Sequence, residues 1–145
     1  MKHIEKNVPE ILKKDGIKHI DVVDTKTPVL TKLSDVISSF PKNDSWAKRI
    51  VNTHNSAFFN SATLICQNKD GGCRRHNHPD CDEFWVVISG TFQWVIGENR
   101  DVYNAAPGDI IYCRKGVFHE ITVISDSPGI RLSISVEEMM NIYEP

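Results

Sequence analysis

The chain has 145 residues, a formal net charge of −2 at pH 7 and 40% hydrophobic residues. This length is typical of one domain, and a nearly balanced charge does not favour nucleic acid or an anionic membrane surface as a partner. The sequence also has neither an apolar run of membrane-spanning length nor the apolar segment of a secretory signal at its start. We therefore expect a cytoplasmic protein with no nucleic-acid or membrane partner.

Residues 1–56 form a predicted N-terminal arm of mixed, partly helical structure. Proline near the start and glycine at the end predict a short helix over residues 8–16. A second helix is predicted over 34–40, where a serine can cap the start and a proline follows the end. The β-branched segment 17–23 can pair at a sheet edge. Trp46 supplies an apolar side chain that anchors the arm on the following residues.

Residues 57–145 have the pattern of an all-β barrel or sandwich, because short β-type runs alternate with turn residues. A helical turn is expected at 136–142. The predicted strands are 58–67, 73–78, 83–89, 91–96, 110–113, 119–124 and 129–136.

Two histidines in alternate positions precede the first strongly apolar strand. Since alternate side chains of a strand share one face, His76 and His78 can direct both imidazoles to one point. A turn containing Pro79 can bring Glu83 beside them. Imidazole and carboxylate together are a ligand set for a divalent transition metal. His119, in a later segment, is the fourth candidate ligand.

These segments resemble the paired motifs of the cupin superfamily. The first motif is a glycine, a His-x-His pair, a glutamate and a closing glycine. The second is a glycine, Pro-x-Gly, a histidine and an asparagine. The positions that fit in spacing are His76, His78, Glu83 and Gly90 in the first motif, and Gly108, Gly116 and His119 in the second.

Three positions depart from the family pattern. Gly71 stands one residue too close to His76, Arg114 replaces the proline, and Val123 replaces the asparagine. None of these departures removes a ligand position. The resemblance implies a double-stranded β-helix, or jelly roll, with one divalent Fe, Mn, Ni or Zn ion held by His76, His78, Glu83 and His119.

Strand parity adds candidate substrate-binding residues. Arg74 has the parity of the two histidines, so it can bind a substrate carboxylate or phosphate, or else pair with Asp80 or Asp82 at the barrel mouth. Trp85 shares a face with Glu83 and either lines the wall beside the metal or packs in the core.

Later strands leave further alternatives open. Gln93 is a candidate substrate-binding residue, since either it or its neighbour Trp94 faces inward. Tyr112 can place a hydroxyl over the cavity as a proton donor, or can simply be buried. On the last long strand, either the polar stripe of Arg131, Ser133 and Ser135 or the apolar stripe of Leu132, Ile134 and Val136 faces the cavity.

The four cysteines (Cys66, Cys73, Cys81 and Cys113) are expected to be reduced packing residues. An alternative is a compact zinc site made of Cys73, His76, His78 and Cys81. That arrangement would leave Glu83 and His119 without a role.

Strand 83–89 is apolar on both faces, so the second sheet and the arm, or a second subunit, must cover its outer side. We therefore predict a homodimer. Two functions follow from the resemblance. One is a metal-dependent enzyme of oxygenase, isomerase or lyase type, with a dioxygenase as the first expectation and Glu83 and Tyr112 as catalytic residues. The other is a non-catalytic binding or sensory cupin. A structural or decayed metal site is the remaining alternative.

Overall fold

A computed structural model describes residues 4–5, 7–52, 55, 60–136 and 139–145. This part of the chain forms strands arranged in two six-stranded sheets, with two short helices. The elements in chain order are β1 (Ile4–Glu5), α1 (Val8–Lys14), β2 (His19–Val22), α2 (Leu33–Ser38), β3 (Trp46–Val51), β4 (Asn60–Gln67), β5 (Gly72–Asn77), β6 (Glu83–Ser89), β7 (Phe92–Ile96), β8 (Asp101–Ala105), β9 (Ile110–Cys113), β10 (His119–Val123), β11 (Gly129–Val136) and β12 (Asn141–Tyr143).

The two sheets have the orders β1-β12-β5-β10-β7-β8 and β2-β3-β4-β11-β6-β9. Between β5 and β11 the chain passes repeatedly from one sheet to the other, so strands that are close in sequence face each other across the core. β2 pairs with β3 in parallel, and the other described pairings are antiparallel. This confirms the predicted all-β double-stranded β-helix, or jelly roll.

The core between the sheets is built from alternate positions of neighbouring strands. Trp85 and Val87 on β6 meet Phe92 and Trp94 on β7, and all four side chains are buried. This is the period of two that a pleated strand imposes on its side chains. Trp85 and Ile121 of this cluster also line the cavity described below.

The described part of the arm is joined to the barrel by backbone pairing and by packing. β3 pairs with β4 along the second sheet, and β2 pairs with β3. The side chain of Asn7 caps α1 by accepting a hydrogen bond from the Glu10 amide at 3.1 Å. α2 covers the outer face of the second sheet, where Val36 packs against Trp46. The proposed division at residues 56 and 57 stays a prediction.

The prediction of a helical turn at 136–142 is wrong for the residues of this range that the structure describes. Val136 ends β11, and Asn141–Tyr143 forms β12, which pairs with β5 and β1. The open edge of β5 recruits this segment, and such pairing is invisible to a local pattern. Residues 137–138, and residues 58–59 of the predicted strand 58–67, lie outside the described residues. Neither helix of the described chain has the length and apolar content needed to cross a bilayer.

Candidate metal centre

Three buried histidine rings meet at one end of the barrel. His76 is near the end of β5, His78 follows that strand, and His119 begins β10 directly opposite His76 in the ladder. The ring centroid of His76 lies 4.8 Å from that of His78 and 4.5 Å from that of His119. One ring nitrogen from each residue lies within 4.8 Å of the other two. The structure therefore brings together the three histidines that the sequence nominated.

Backbone carbonyl groups orient all three rings. A carbonyl oxygen only accepts, so each Nδ1 carries its proton, and the Nε2 atoms of His76 and His119 keep a lone pair. The Nε2 of His119 is buried and has no hydrogen-bond partner among the described residues. Hydrogen bonds of this kind fix the tautomer of metal-binding imidazoles. The carbonyl partners are Arg74 for His76, Met140 for His78 at 3.1 Å, and Val117 for His119 at 3.2 Å.

Glu83 brings a carboxylate to the same space from the opposite sheet. Its Oε1 lies 3.2 Å from Nε2 of His78 and 3.7 Å from Nε2 of His119. Its Oε2 accepts a hydrogen bond from the Ser133 hydroxyl at 3.0 Å. Glu83 is the first residue of β6, which aims its side chain inward, and Ser133 on the neighbouring β11 prevents it from turning away.

The electrostatics of the site favour the neutral forms of His76 and His119 and an ionised Glu83 carboxylate. Burial and the neighbouring rings lower the pKa of His76 to about 3, and burial lowers that of His119 to about 4. Burial opposes the charge of Glu83, but the hydrogen bond and charge of His78 outweigh it and lower the Glu83 pKa to about 2. The same bond raises the pKa of His78 against the effect of burial.

These groups fit a divalent transition metal. Three imidazole nitrogens and one carboxylate oxygen are typical ligands of Fe, Mn, Ni and Zn. Of the three imidazoles only His78 has a raised pKa, so a metal would compete with the proton that its Nε2 shares with Glu83. A buried polar atom normally has a partner, and a bound metal ion would supply the partner that the Nε2 of His119 does not have among the described residues.

A cavity opens beside the His76 ring and Glu83 and extends toward α1. Its volume is about 60 Å³, measured as the space open to the centres of water-sized molecules, which holds roughly four to six waters. His76 and Glu83 line one part and Arg131 another. The remaining walls are mainly apolar and include Ile11, Leu12, Ile65, Trp85 and Ile121.

Trp85 lines this cavity and is also part of the aromatic core, so it has both of the roles left open for it. Arg74 does not point into the cavity, and its predicted position was wrong. Its guanidinium pairs with Asp15 at 3.0 Å and lies 4.1 Å from the centre of the Tyr143 ring. The pairing of β10 with β5 shifts register between His119 and Ile121. Parity is broken there, so Cys73 and His76 face inward instead.

Gln93 and Tyr112 are not brought to the site, and the predicted positions of both are wrong. On β7 the inward residues are Phe92 and Trp94, which leaves Gln93 on the outer side between them. On β9 Cys113 is buried, and Tyr112 is 56% exposed on the outer face. Each strand alternates regularly, but the residues that face inward are the neighbours of the predicted ones: Phe92 and Trp94 on β7, and Cys113 on β9.

The alternative zinc site is not formed. The potential metal-binding cluster found among the described residues contains three histidines and no cysteine. Cys73 and Cys81 have free thiols whose pKa values burial raises. They are protonated packing residues at neutral pH.

The polar stripe of β11 is the feature that sequence reasoning left undecided. Arg131, Ser133 and Ser135 are buried and line the cavity. Leu132 and Ile134 face outward and are partly exposed. The sequence did contain a signal for this stripe, namely an arginine and two serines in alternate positions of an otherwise apolar strand. Charged and polar side chains are rarely buried unless they bind a partner.

A family model described as "Cupin domain" matches residues 64–135. No curated protein sequence matches the chain significantly. Among solved structures, a Klebsiella pneumoniae protein with a double-stranded β-helix domain shares 18% identity and a TM-score of 0.65, over 81% of this chain and 99% of that one.

Two further structures are similar. A cupin 2 domain-containing protein from Halorhodospira halophila has 16% identity and a TM-score of 0.62, over 73% of each chain. The polyketide cyclase RemF from Streptomyces resistomycificus has 17% identity and a TM-score of 0.58, over 64% of this chain and 65% of that one. At these identities the likeness establishes the fold and not an activity.

Proposed function

We propose that this chain, which belongs to the cupin superfamily, is a metal-dependent enzyme acting on a small polar or anionic metabolite. In this proposal His76, His78, Glu83 and His119 hold one divalent Fe, Mn, Ni or Zn ion. The supporting observation is that three Nε2 atoms and one carboxylate converge beside a cavity. That a similar fold occurs in a polyketide cyclase is consistent with catalysis in this architecture.

The protein's own residues prepare the site for chemistry. A divalent ion bound here would polarise a carbonyl or hydroxyl group, or lower the pKa of a bound water. Ser133 holds the Glu83 carboxylate in place, and the apolar wall formed by Trp85 and α1 limits the access of bulk water. Glu83 stays the proposed catalytic carboxylate. Tyr112 has no part in the proposal because it lies on the outer surface.

The first experiment is elemental analysis of protein purified without chelator. We expect about one equivalent of metal in the wild type and a large loss in His119→Asn. His19→Asn is the matched control, because His19 pairs with Asp44 far from the site. Metal content unaffected by His119→Asn would contradict the proposal.

The second experiment tests turnover. Wild type and Glu83→Gln, each loaded with Fe(II), Mn(II), Ni(II) or Zn(II), are incubated with a panel of small carboxylates and sugars. Conversion by the wild type that is lost in the variant supports an enzyme. Binding without conversion under every metal would favour the binding or sensory cupin instead.

A homodimer remains part of the proposal. The outer face of β6 and β9 exposes Phe84, Ile110 and Tyr112 to 37%, 65% and 56%. α2 and its neighbours cover Ile88 at the other end of β6. A second copy on the uncovered part would bury these apolar groups. The cytoplasmic location also stays a prediction.

A further inference from the structure

Arg131 is a buried arginine on the wall of the cavity. It is 3% exposed and is the third residue of β11. Its Nη1 donates a hydrogen bond to Oε1 of Gln67 at 2.7 Å, and its guanidinium lies 5.5 Å from the centre of the Phe92 ring. Its Nε is buried without a hydrogen-bond partner in the described chain. The guanidinium therefore has donor capacity that the protein does not use.

The charge of Arg131 is not neutralised by a direct ion pair within the described residues. Asp15, a carboxylate on the cavity wall, is engaged by Arg74 at 3.0 Å. Glu83 is engaged by His78 and Ser133. A buried cation without a counter-ion costs several kcal/mol, so such a residue is normally kept for a specific partner.

Gln67 holds the guanidinium in a fixed orientation. Its Nε2 donates to the carbonyl of Gly72 at 2.8 Å, which turns its Oε1 toward Arg131. Gln67 is itself buried. The donor fork is thus oriented before a ligand arrives, which lowers the entropic cost of binding.

The position of Arg131 relative to the metal centre sets a ligand length. Arg131 and Ser133 are two residues apart on one face of β11, a separation of about 7 Å along the strand. Ser133 in turn holds Glu83. A molecule that spans from the metal centre to Arg131 needs roughly four to six non-hydrogen atoms, a size that the cavity admits. The cavity walls include apolar side chains such as Ile65 and Trp85, and the hydroxyl groups of Ser61 and Thr63.

We propose that Arg131, oriented by Gln67, is the subsite for the carboxylate of the cavity's ligand. The ligand class is then a small monocarboxylate with a short apolar body. A planar guanidinium matches a carboxylate through two parallel hydrogen bonds. The assignment of the opposite end of the ligand to a metal ion rests on the proposed function, whereas the carboxylate subsite does not need the metal.

The test compares butyrate with its neutral isostere butyramide on metal-free protein, by isothermal titration and by ligand-observed NMR. We expect the wild type to bind butyrate at least about tenfold more tightly, since one charge-assisted pair is worth about that factor or more. Arg131→Met should lose this preference. Arg100→Met is the control, because Arg100 pairs with Glu144 on the outer surface and should retain it.

The variant is expected to fold, since an apolar residue of similar volume in place of a buried charge is often neutral or stabilising. If Arg131→Met does not fold, Arg131→Lys keeps the charge and should lose part of the preference with the loss of the planar fork. Equal or absent binding of the two probes by the wild type would overturn the subsite. So would a preference that survives in Arg131→Met.

The two proposals fail separately. Metal-free protein that prefers butyrate but binds no Zn(II) would leave the carboxylate subsite standing and remove the metal-dependent enzyme. Protein that binds one Zn(II) but has no preference for butyrate would remove the carboxylate subsite and leave the metal-dependent enzyme standing.

Discussion

The buried histidines make metal-free protein sensitive to acid. The pKa of His76 is lowered to about 3 by burial and the neighbouring rings, and that of His119 is lowered to about 4 by burial, against 6.5 for an exposed imidazole. His78 differs, because its bond to Glu83 raises its pKa against the effect of burial. Between about pH 4 and about pH 6.5, the unfolded chain therefore protonates three of these imidazoles and the folded protein only one.

The sign and size of the effect follow from this difference in bound protons. The unfolded state binds two more protons in this window, so the free energy of unfolding falls as the pH falls. Each proton contributes about 1.4 kcal/mol per pH unit, which gives a slope of about 3 kcal/mol per unit. Glu83, with its pKa lowered to about 2 from 4.5, adds a loss in the same direction at lower pH. His78 contributes with the opposite sign, and its stabilisation is lost as pH rises through its folded pKa.

The assay is urea unfolding of metal-free protein followed by tryptophan fluorescence at about pH 7, about pH 6 and about pH 5. Titrating groups outside the site contribute as well, so the wild type is compared with His119→Asn, in which those outside groups are unchanged. The variant should have a slope smaller by about one proton, or about 1.4 kcal/mol per pH unit. His19→Asn, outside the site, is the control for removing an imidazole.

A variant slope equal to that of the wild type would refute the reasoning. It would mean that the His119 ring takes up a proton in the folded state as readily as in the unfolded chain. The burial of the ring, which lowers its pKa, would then not hold in solution.

Three further predictions concern the strands around the site. In Gly72→Ala the new Cβ would lie 1.7 Å from the Ile121 carbonyl oxygen, so β5 and β10 must separate. Urea unfolding should show a loss of about 3 kcal/mol or more, and metal affinity should fall. Ser133→Ala removes the donor to Glu83, and competition titration should show a metal affinity about tenfold lower in a folded protein. Ile110→Lys places a charge on the exposed outer face, and light scattering should show a monomer where the wild type is a dimer.

Each of these has a result that would count against it. Gly97→Ala is the comparison for Gly72, because its Cβ would meet no described atom and it should lose only about 1 kcal/mol from its left-handed backbone. Equal losses in the two variants would show that the contact with β10 is not the cause. Unchanged metal affinity in Ser133→Ala would make that hydroxyl irrelevant to the carboxylate. A monomeric wild type would remove the dimer.

The sequence was informative about features that depend on local alternation. The all-β fold followed from the spacing of strands and turns, and the meeting of His76 and His78 followed from their alternate positions. The pairing of β12 with β5 was not predictable, because the edge that recruits it is distant in sequence. β3 and β8 were also missed, although each pairs with a neighbour in sequence: β3 with β4 and β8 with β7. Their own residues do not have the apolar alternation of a predicted strand.

Side-chain direction was predictable only where a strand is regular and its inward face is known. Arg74 was assigned from the parity of His76, but the ladder to β10 shifts register before it reaches Cys73. Gln93 and Tyr112 lie on strands with apolar residues on both sides, so composition did not reveal which set faces inward. A single error of phase moves a whole stripe from one face to the other.

β11 connects the two ends of the cavity, and its register determines both of them. Ser133 holds the Glu83 carboxylate, and Arg131 lies two residues before it in the same inward stripe. A slip of one residue would replace this stripe by Leu132 and Ile134, which would remove the carboxylate's hydrogen bond and the guanidinium together. β11 is paired along its whole length with β4 and over most of its length with β6. Both proposed sites therefore depend on the same pair of strand ladders, and a substitution that loosens β11 should weaken metal binding and butyrate binding together.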